Sequence, residues 1–172
     1  AEYYPMFVDY YKSLLKTKGV DYLILGQHCY IEDGNFSFYK YSLNPTMMLD
    51  KYVNDVCEGI KTGLFSFVCH PDQYLGGYIY FDELAIKAAR KIIETAIEYN
   101  VPLEININGI RARHAYPNEL FWRIVSEYKD AKVIINSDAH RPDQLEDYHD
   151  EAFALANKYN LTVVEEMEKR VI

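Results

Sequence analysis

Apolar residues along this chain alternate between two spacings, one typical of helices and one typical of buried strands. Apolar positions recur three to four residues apart in five stretches, which predict helices at 5–18 before Gly19, 44–63, about 81–99, 117 to about 129, and 143 to about 160. Short continuous apolar runs predict strands at 21–28, 64–70, 101–107, 131–138 and 161–164. The segment between the first strand and the second helix, residues 30–45, is predicted to be a loop that could cover whatever site lies beside it.

The predicted strands are apolar on both faces, and each is followed by a helix. This pattern is typical of an α/β fold with a parallel sheet and helices packed outside it. Both an open doubly wound sheet and a closed barrel agree with the alternation. No GxGxxG or GxxxxGK[ST] motif follows any strand, so a nucleotide-binding Rossmann or P-loop fold has no motif support. No linker divides the 172 residues, which predicts a single domain over 1–172.

The composition narrows the range of partners. The formal net charge of −8 argues against a protein that binds the phosphate backbone of a nucleic acid, because such proteins need a dense basic surface. One or two arginines in a pocket would still suffice for a small phosphorylated metabolite. The longest apolar runs are far shorter than the roughly 20 residues of a membrane span, so no membrane partner is expected. Three cysteines without a CxxC spacing are typical of reduced, buried thiols and predict a cytoplasmic protein.

Polar groups that bind metals or move protons follow four successive predicted strands. They are Gln27-His28, His70-Pro71-Asp72, Glu104 to Asn108, and Ser137 to His140. The carboxyl ends of parallel strands meet at one edge of the sheet, so these groups are expected to lie close together. Three imidazoles and a carboxylate suit a divalent transition metal. The predicted ligands are therefore His28, His70, Asp138 and His140, whereas His114 and His149 are predicted to be solvent-exposed.

Neighbouring residues at these strand ends suggest supporting roles. Residues i and i+2 of a strand point to the same face, so Asp138 and His140 are predicted to face the site together. The same spacing places Glu104 and Asn106 on one face, either as hydrogen-bonding partners of a metal-binding histidine or as a buried structural pair. Asp72 is expected either to cap a turn or to hold an imidazole.

Four motifs resemble a known family. "LGQH", "HPD", "EININGIR" and "INSDAH" resemble, in this order and at similar spacing, motifs of the PHP (polymerase and histidinol phosphatase) family, and most closely its monofunctional histidinol-phosphatase branch. The resemblance implies a distorted (β/α)7 barrel with two or three divalent ions (Zn, Mn or Fe) at the carboxyl mouth. It also implies that His28 and His70 bind one metal, Asp138 a second and His140 a third.

The sequence also departs from the family pattern. The first family motif, an HxH near the amino terminus, is absent, as are the next family histidine and the bridging Glu of a G-x-E segment. Glu2 corresponds to an acidic residue two places after that Glu. The resemblance therefore implies the carboxyl-terminal two-thirds of a PHP protein, a barrel lacking its first strands. Incomplete metal binding and no turnover are expected of the chain alone, with the enzyme being its longer parent.

The implied reaction is the hydrolysis of a phosphate monoester, with histidinol phosphate of histidine biosynthesis as the expected substrate. Asp138 would orient the attacking water as well as bind metal, and no acid for the leaving group can be assigned. Arg111 corresponds to the family's NxxGxR arginine and is expected to bind phosphate, with Arg141 and Arg113 as weaker alternatives. Two other interpretations remain open. One is a PHP phosphoesterase that acts on a nucleotide or another small phosphate, and the other is a non-catalytic barrel scaffold with an incomplete metal site.

Overall fold

The structure is a computed structural model that describes residues 1–17, 20–32, 34–42, 44–167 and 170. Its helices are α1 Val8–Lys16, α2 Pro45–Lys61, α3 Glu83–Glu98, α4 Ile107–Ala112, α5 Glu119–Val125 and α6 His149–Lys158. Its strands are β1 Leu23–Leu25, β2 Cys29–Glu32, β3 Asn35–Phe38, β4 Phe65–Val68, β5 Leu103–Asn106, β6 Lys132–Asn136 and β7 Thr162–Val163. Short 3₁₀ turns are formed by Pro5–Phe7, Tyr39–Tyr41, Gln73–Gly76 and Pro142–Gln144.

Five strands form one parallel sheet in the order β1-β4-β5-β6-β7, so spatial neighbours follow each other along the chain. The register pairs Leu103 of β5 with Val133 of β6, and Lys132 of β6 with Thr162 of β7. Helices connect the successive strands of this sheet. The α/β class and the parallel sheet predicted from the sequence are confirmed. Because the carboxyl ends of parallel strands lie at the same edge, this order brings the loops after β1, β4, β5 and β6 to one side.

The apolar strand runs are explained by burial. β4 and β5 are buried at every position, which is the environment of central strands covered on both faces. The core continues into α2 and α3 and includes the single tryptophan, Trp122, which is fully buried. Buried tyrosines supply part of the packing, since the ring of Tyr39 lies 5.0 Å from Tyr30 and 5.1 Å from Tyr52 between centroids.

Two helix starts have the capping groups that their sequence suggests. The Asn44 side chain accepts a hydrogen bond from the backbone N–H of Met47 at 3.1 Å, and Pro45 is the first residue of α2. The Asp82 carboxylate accepts bonds from Leu84 and Ala85 at the start of α3, both at 3.1 Å. These contacts satisfy backbone donors that have no partner within the helix.

The prediction of a loop over residues 30–45 was wrong for much of its length. β2 and β3 form an antiparallel hairpin in which Cys29 pairs with Phe38 and Glu32 pairs with Asn35. Gly34 in its turn has φ +78°, a backbone angle that glycine adopts without strain. A turn of this kind between aromatic and β-branched residues is a hairpin signal that the sequence contained.

Other predicted boundaries also shifted. The strand predicted at 101–107 ends at Asn106, and the next residues form α4, because the Asn106 side chain accepts a bond from the Gly109 N–H at 2.8 Å and caps that helix. The last helix begins at His149 rather than near 143. The predicted end of the first helix, at 18–19, lies outside the described residues. Within the described ranges, no helix is long and apolar enough to cross a membrane.

Candidate active site

A cleft of about 400 Å³ opens beyond the carboxyl ends of β1, β4, β5 and β6. All four predicted metal ligands line it: His28, His70, Asp138 and His140. Asn108, His114 and Tyr116 complete one wall. The parallel sheet therefore brings together side chains that are more than 100 positions apart in the sequence. A larger groove of about 640 Å³ between α2 and α3 contains none of the predicted ligands.

His28 is oriented by two acceptors on the same ring nitrogen. Its Nδ1 lies 3.2 Å from the carbonyl oxygen of Gly26 and 3.4 Å from Oε1 of Glu2. A carbonyl oxygen can only accept, so this contact places the proton on Nδ1 and leaves the lone pair of Nε2 for a metal. A carboxylate behind an imidazole is a common arrangement at metal sites.

Glu2 was not assigned a role from the sequence, yet it supports this histidine. Its Oε2 accepts bonds from the hydroxyl of Tyr4 at 2.7 Å and from the N–H of Cys29 at 3.0 Å. Burial acts to raise the pKa of Glu2, but the bonds from His28, Tyr4 and Cys29 outweigh it and hold that pKa below its usual range. The carboxylate is therefore ionised near neutral pH.

His70 is the most buried of the predicted ligands, with 3% of its surface exposed. Its ring centroid lies 4.7 Å from that of His28, and its Nδ1 has no hydrogen-bond partner among the described residues. Burial, aided by the neighbouring His28, lowers the pKa of His70 to about 3, so the ring is neutral at physiological pH. Neutral imidazole is the form that binds metals, and an unpaired buried nitrogen suits a ligand.

A buried hydrogen-bond network connects His70 with Asp138. The Glu104 carboxylate accepts bonds from the His70 N–H and from Nδ2 of Asn106, both at 2.8 Å, and from Nδ2 of Asn136 at 2.8 Å. Nδ2 of Asn106 also lies 3.1 Å from Oδ2 of Asp138. Burial raises the pKa of Glu104 despite these donors. Glu104 and Asn106 thus support the backbone of one predicted ligand and the carboxylate of another.

Asp138 and His140 both reach the cleft, but not by strand alternation as predicted. β6 ends at Asn136, so both residues lie in the loop beyond it. Asp138 has φ 45° and His70 has φ 33°, which are left-handed values that non-glycine residues rarely adopt. Nδ1 of His140 lies 2.9 Å from the carbonyl oxygen of Asp138, which again leaves Nε2 free. The N–H of His140 donates to the side chain of Gln144 at 2.9 Å.

The side chains of the cleft are of the chemical types that bind a divalent ion. The number that the structure brings together is smaller than such an ion needs. The cleft offers imidazole nitrogens and a carboxylate, the ligands that Zn, Mn and Fe accept. In the described part of the chain, however, no three His, Cys, Asp or Glu side chains form a group that could hold an ion together. An ion bound by His28 and His70 would have to take its remaining ligands from water, substrate or groups that move toward it.

The predicted phosphate-binding arginines lie away from the cleft lining. Arg111, on α4, donates from Nη1 to Oδ1 of Asn108 at 3.1 Å and from Nη2 to the carbonyl oxygen of Gln144 at 2.7 Å. Its buried Nε has no partner among the described residues. Arg141 pairs with Asp143 at the surface, at 2.9 Å, and Arg113 is an exposed residue at the end of α4. Arg111 is therefore the one that connects to the cleft wall, through Asn108.

Two residues of the wall were missed by the sequence. His114 was predicted to be exposed at the surface, and it is exposed, but it also lines the cleft. Tyr116 lies half-buried beside it. Asp72, which is fully buried, accepts a bond from the N–H of Asn118 at 2.5 Å and so anchors this segment, and burial raises the pKa of Asp72 to about 7.

Comparison with known proteins adds no relative, since no family model matches the chain and no curated protein matches it significantly. The likeness of four motifs to one family therefore remains a resemblance between residues. The geometry of the cleft has to carry any statement about function.

Proposed function

We propose that this protein is a metal-dependent phosphomonoester hydrolase of the PHP type, and that its substrate is histidinol phosphate. The observation that carries the proposal is the convergence of His28, His70, Asp138 and His140 on one cleft at the carboxyl edge of a parallel sheet. Three of the four motifs that resemble the PHP family, LGQH, HPD and INSDAH, contain these same residues. Parallel α/β folds have their active sites at this edge of the sheet.

We further propose that the parallel sheet is part of a barrel. The five parallel strands in chain order are compatible with part of a distorted (β/α)7 barrel, to which further strands would add next to β1 or β7. The cleft would then be the carboxyl mouth of that barrel, and the bridging Glu and HxH of the family would complete the donor set. We propose two or three ions for the complete site.

Each residue of the cleft has a definite task in this proposal. His28 and His70 would hold one ion through imidazole nitrogens, with Glu2 and the Gly26 carbonyl fixing the His28 ring. Divalent ions, when bound, supply Lewis-acid activation of a water molecule and neutralise charge on the phosphoryl oxygens. Asp138, held by Asn106, would orient the attacking water. Arg111 would bind the phosphate through Nη1, which in this structure donates to Oδ1 of the cleft-lining Asn108.

One observation favours a second candidate, a non-catalytic domain that has lost part of its metal centre. Among the described residues, no three ligand donors form a group that could hold an ion. A structural domain of this kind would retain the hydrogen-bond network of Glu104, because that network stabilises the sheet whether or not an ion binds. It would not retain metal affinity.

Metal content and turnover separate the two candidates. The full-length product of the gene, treated with chelator and then supplied with Zn²⁺, Mn²⁺ or Fe²⁺, should bind two or three ions per chain and release phosphate from histidinol phosphate. Zero or one ion in a folded protein without phosphate release would favour the scaffold. Hydrolysis of histidinol phosphate no faster than that of a generic ester would remove the substrate assignment and leave a nucleotide or other small phosphate as the alternative.

Matched variants test the ligand assignments within the same assay. His70→Ala and Asp138→Ala should each lower metal content and abolish phosphate release. His149→Ala is the control, because His149 begins α6 and bonds the Leu145 carbonyl outside the cleft. Full activity in either cleft variant would contradict the assignment of that residue.

A further inference from the structure

We propose that His114 is the general acid of the cleft, donating the proton that the leaving alkoxide needs when the phosphate ester is cleaved. This inference rests on the proposed function, and it assigns the one group of the reaction that the motifs leave open. It is carried by the place of His114 in the lining of the same cleft as Asp138 and His140, on a segment that is held in position.

The segment that carries His114 is anchored at both of its ends. The backbone N–H of His114 donates to the Gly109 carbonyl of α4 at 2.9 Å, and the N–H of Asn118 donates to the buried carboxylate of Asp72 at 2.5 Å. Gly109 packs so closely on Tyr116 that an added Cβ would lie 2.6 Å from a ring carbon of that tyrosine. The wall is therefore held against α4 rather than loosely exposed, as a positioned acid requires.

Tyr116 joins His114 to the predicted metal ligands. Its ring centroid lies 5.0 Å from that of His70 and 5.3 Å from that of His114, with interplanar angles of 41° and 38°. Tyr116 thus contacts the rings of both His70 and His114. His114 is in this way placed beside the predicted ligands, as a group that serves the leaving oxygen would be.

The other titratable side chains of the cleft are poor candidates for this role. His28, His70, Asp138 and His140 are assigned to metal in the proposed site. Burial raises the pKa of Tyr116 to about 12 and also raises that of the Cys69 thiol, so both groups hold their protons tightly. His114 lines the cleft with an exposed imidazole, the side chain that most often serves as a general acid.

Cleavage of the phosphate ester needs only water and the proton of His114. The oxygen of the attacking water forms a bond to phosphorus and releases a proton to solvent, and the bond between phosphorus and the ester oxygen breaks. The electron pair of that bond passes to the leaving oxygen, which takes the proton of the His114 imidazolium and departs as an alcohol. Neutral His114 then regains a proton from solvent.

The test compares two esters that differ in their need for an acid. An alkyl ester such as histidinol phosphate leaves as a strongly basic alkoxide, whereas p-nitrophenyl phosphate leaves as a phenolate that is stable near neutral pH. In the full-length, metal-loaded protein, His114→Gln should lower kcat for histidinol phosphate by about 100-fold or more, the usual range for a general acid. It should change kcat for p-nitrophenyl phosphate by less than about threefold. His149→Gln should change neither.

A second readout does not depend on turnover. On addition of inorganic phosphate in the presence of Zn²⁺, the imidazole NMR signals of His114, identified by their loss in His114→Gln, should shift, while those of His149 should not. Equal loss of activity on both esters, no loss on either, or unshifted His114 signals would overturn the assignment. Wild-type protein that hydrolyses neither ester would instead refute the proposed function, and this inference with it.

Discussion

Nδ2 of Asn106 lies 3.1 Å from the carboxylate of Asp138, so the end of β5 holds the loop that follows β6. The same nitrogen donates to Glu104, which in turn accepts the N–H of His70 beyond β4. One buried carboxylate and one amide therefore connect three adjacent strand ends. The shape of the cleft depends on this network whether or not a metal is bound.

We expect Glu104→Gln to lower the free energy of unfolding by about 2–3 kcal/mol. The variant leaves a buried donor without an acceptor and replaces hydrogen bonds to a carboxylate with weaker bonds to a neutral amide. Glutamine replaces one acceptor oxygen with an N–H₂ group, which would face the donors of His70, Asn106 or Asn136. Urea denaturation measures the change. Glu98→Gln, on the exposed face of α3, should change stability by less than about 0.5 kcal/mol. Equal stability of the two variants would contradict the network.

His70 and Asp72 should give the metal-free protein opposite dependences on pH. The pKa of His70 is lowered from 6.5 to about 3, so its contribution to stability is complete above pH 6.5 and is lost as the pH falls toward 3. The pKa of Asp72 is raised from 3.8 to about 7, so its contribution is complete below pH 3.8 and is lost as the pH rises toward 7.

Single variants separate these two contributions. Relative to wild type, Asp72→Asn should gain stability as the pH rises from 4 to 7, with a slope of at most about 1.4 kcal/mol per pH unit. Relative to wild type, His70→Ala should lose stability over the range from 4 to 6.5. Urea denaturation at half-unit pH steps measures both slopes. Parallel pH profiles of Asp72→Asn and wild type would show that the raised pKa is not present.

Zinc should stabilise the chain through the His28 and His70 pair. At a free ion concentration 100 times the dissociation constant, binding to the folded state alone adds about 2.7 kcal/mol and raises the melting temperature. Thermal unfolding with and without Zn²⁺ measures the effect. His28→Ala and His70→Ala should each remove most of it, whereas His149→Ala should leave it intact. An undiminished zinc effect in both cleft variants would place the ion elsewhere.

Gly109→Ala should displace the wall that carries His114 and Tyr116. A Cβ at this position would overlap the carbonyl oxygen and the ring of Tyr116, so we expect a loss of about 1–3 kcal/mol, typical of overpacking. Gly76→Ala is the control, because its Cβ would meet the Ala115 Cβ at an ordinary 3.7 Å. Denaturation and the NMR signals of Tyr116 report the change. An unaltered Tyr116 environment in Gly109→Ala would show that the wall is not tightly packed.

Arg111→Ala should cost more stability than Arg141→Ala. Arg111 connects α4 to the turn beside His140 through the Gln144 carbonyl, and hydrogen bonds from a charged group contribute about 1.5–3 kcal/mol. Arg141 forms an exposed ion pair with Asp143, worth about 0–1 kcal/mol. Denaturation of both variants measures the difference, and titration with inorganic phosphate tests which arginine binds the anion. Stronger loss of phosphate binding in Arg141→Ala would reverse the assignment.

The sequence predicts the sheet better than it predicts the surroundings of the cleft. The strands β4, β5 and β6 are recognisable because burial on both faces leaves continuous apolar runs, and His28, His70, Asp138 and His140 follow from their place at strand ends. The place of His114 in the cleft does not follow from the sequence. Its segment is held there by the contact of His114 with Gly109 and by the bond of Asn118 to Asp72, which is 46 positions away. Such contacts leave no local pattern in the sequence. The hairpin of β2 and β3, in contrast, carried a turn signal at Gly34 that could have been recognised.

The order of the sheet has a consequence for how such a protein can diversify. Because strand neighbours follow the chain, each connection at the carboxyl edge belongs to its own βα unit and contributes its own groups to the cleft. Mutation or insertion in one loop can exchange a side chain of the cleft while the hydrogen-bonded network beneath it stays unchanged. The side chains that line the cleft can in this way change during evolution, one loop at a time, with little effect on folding.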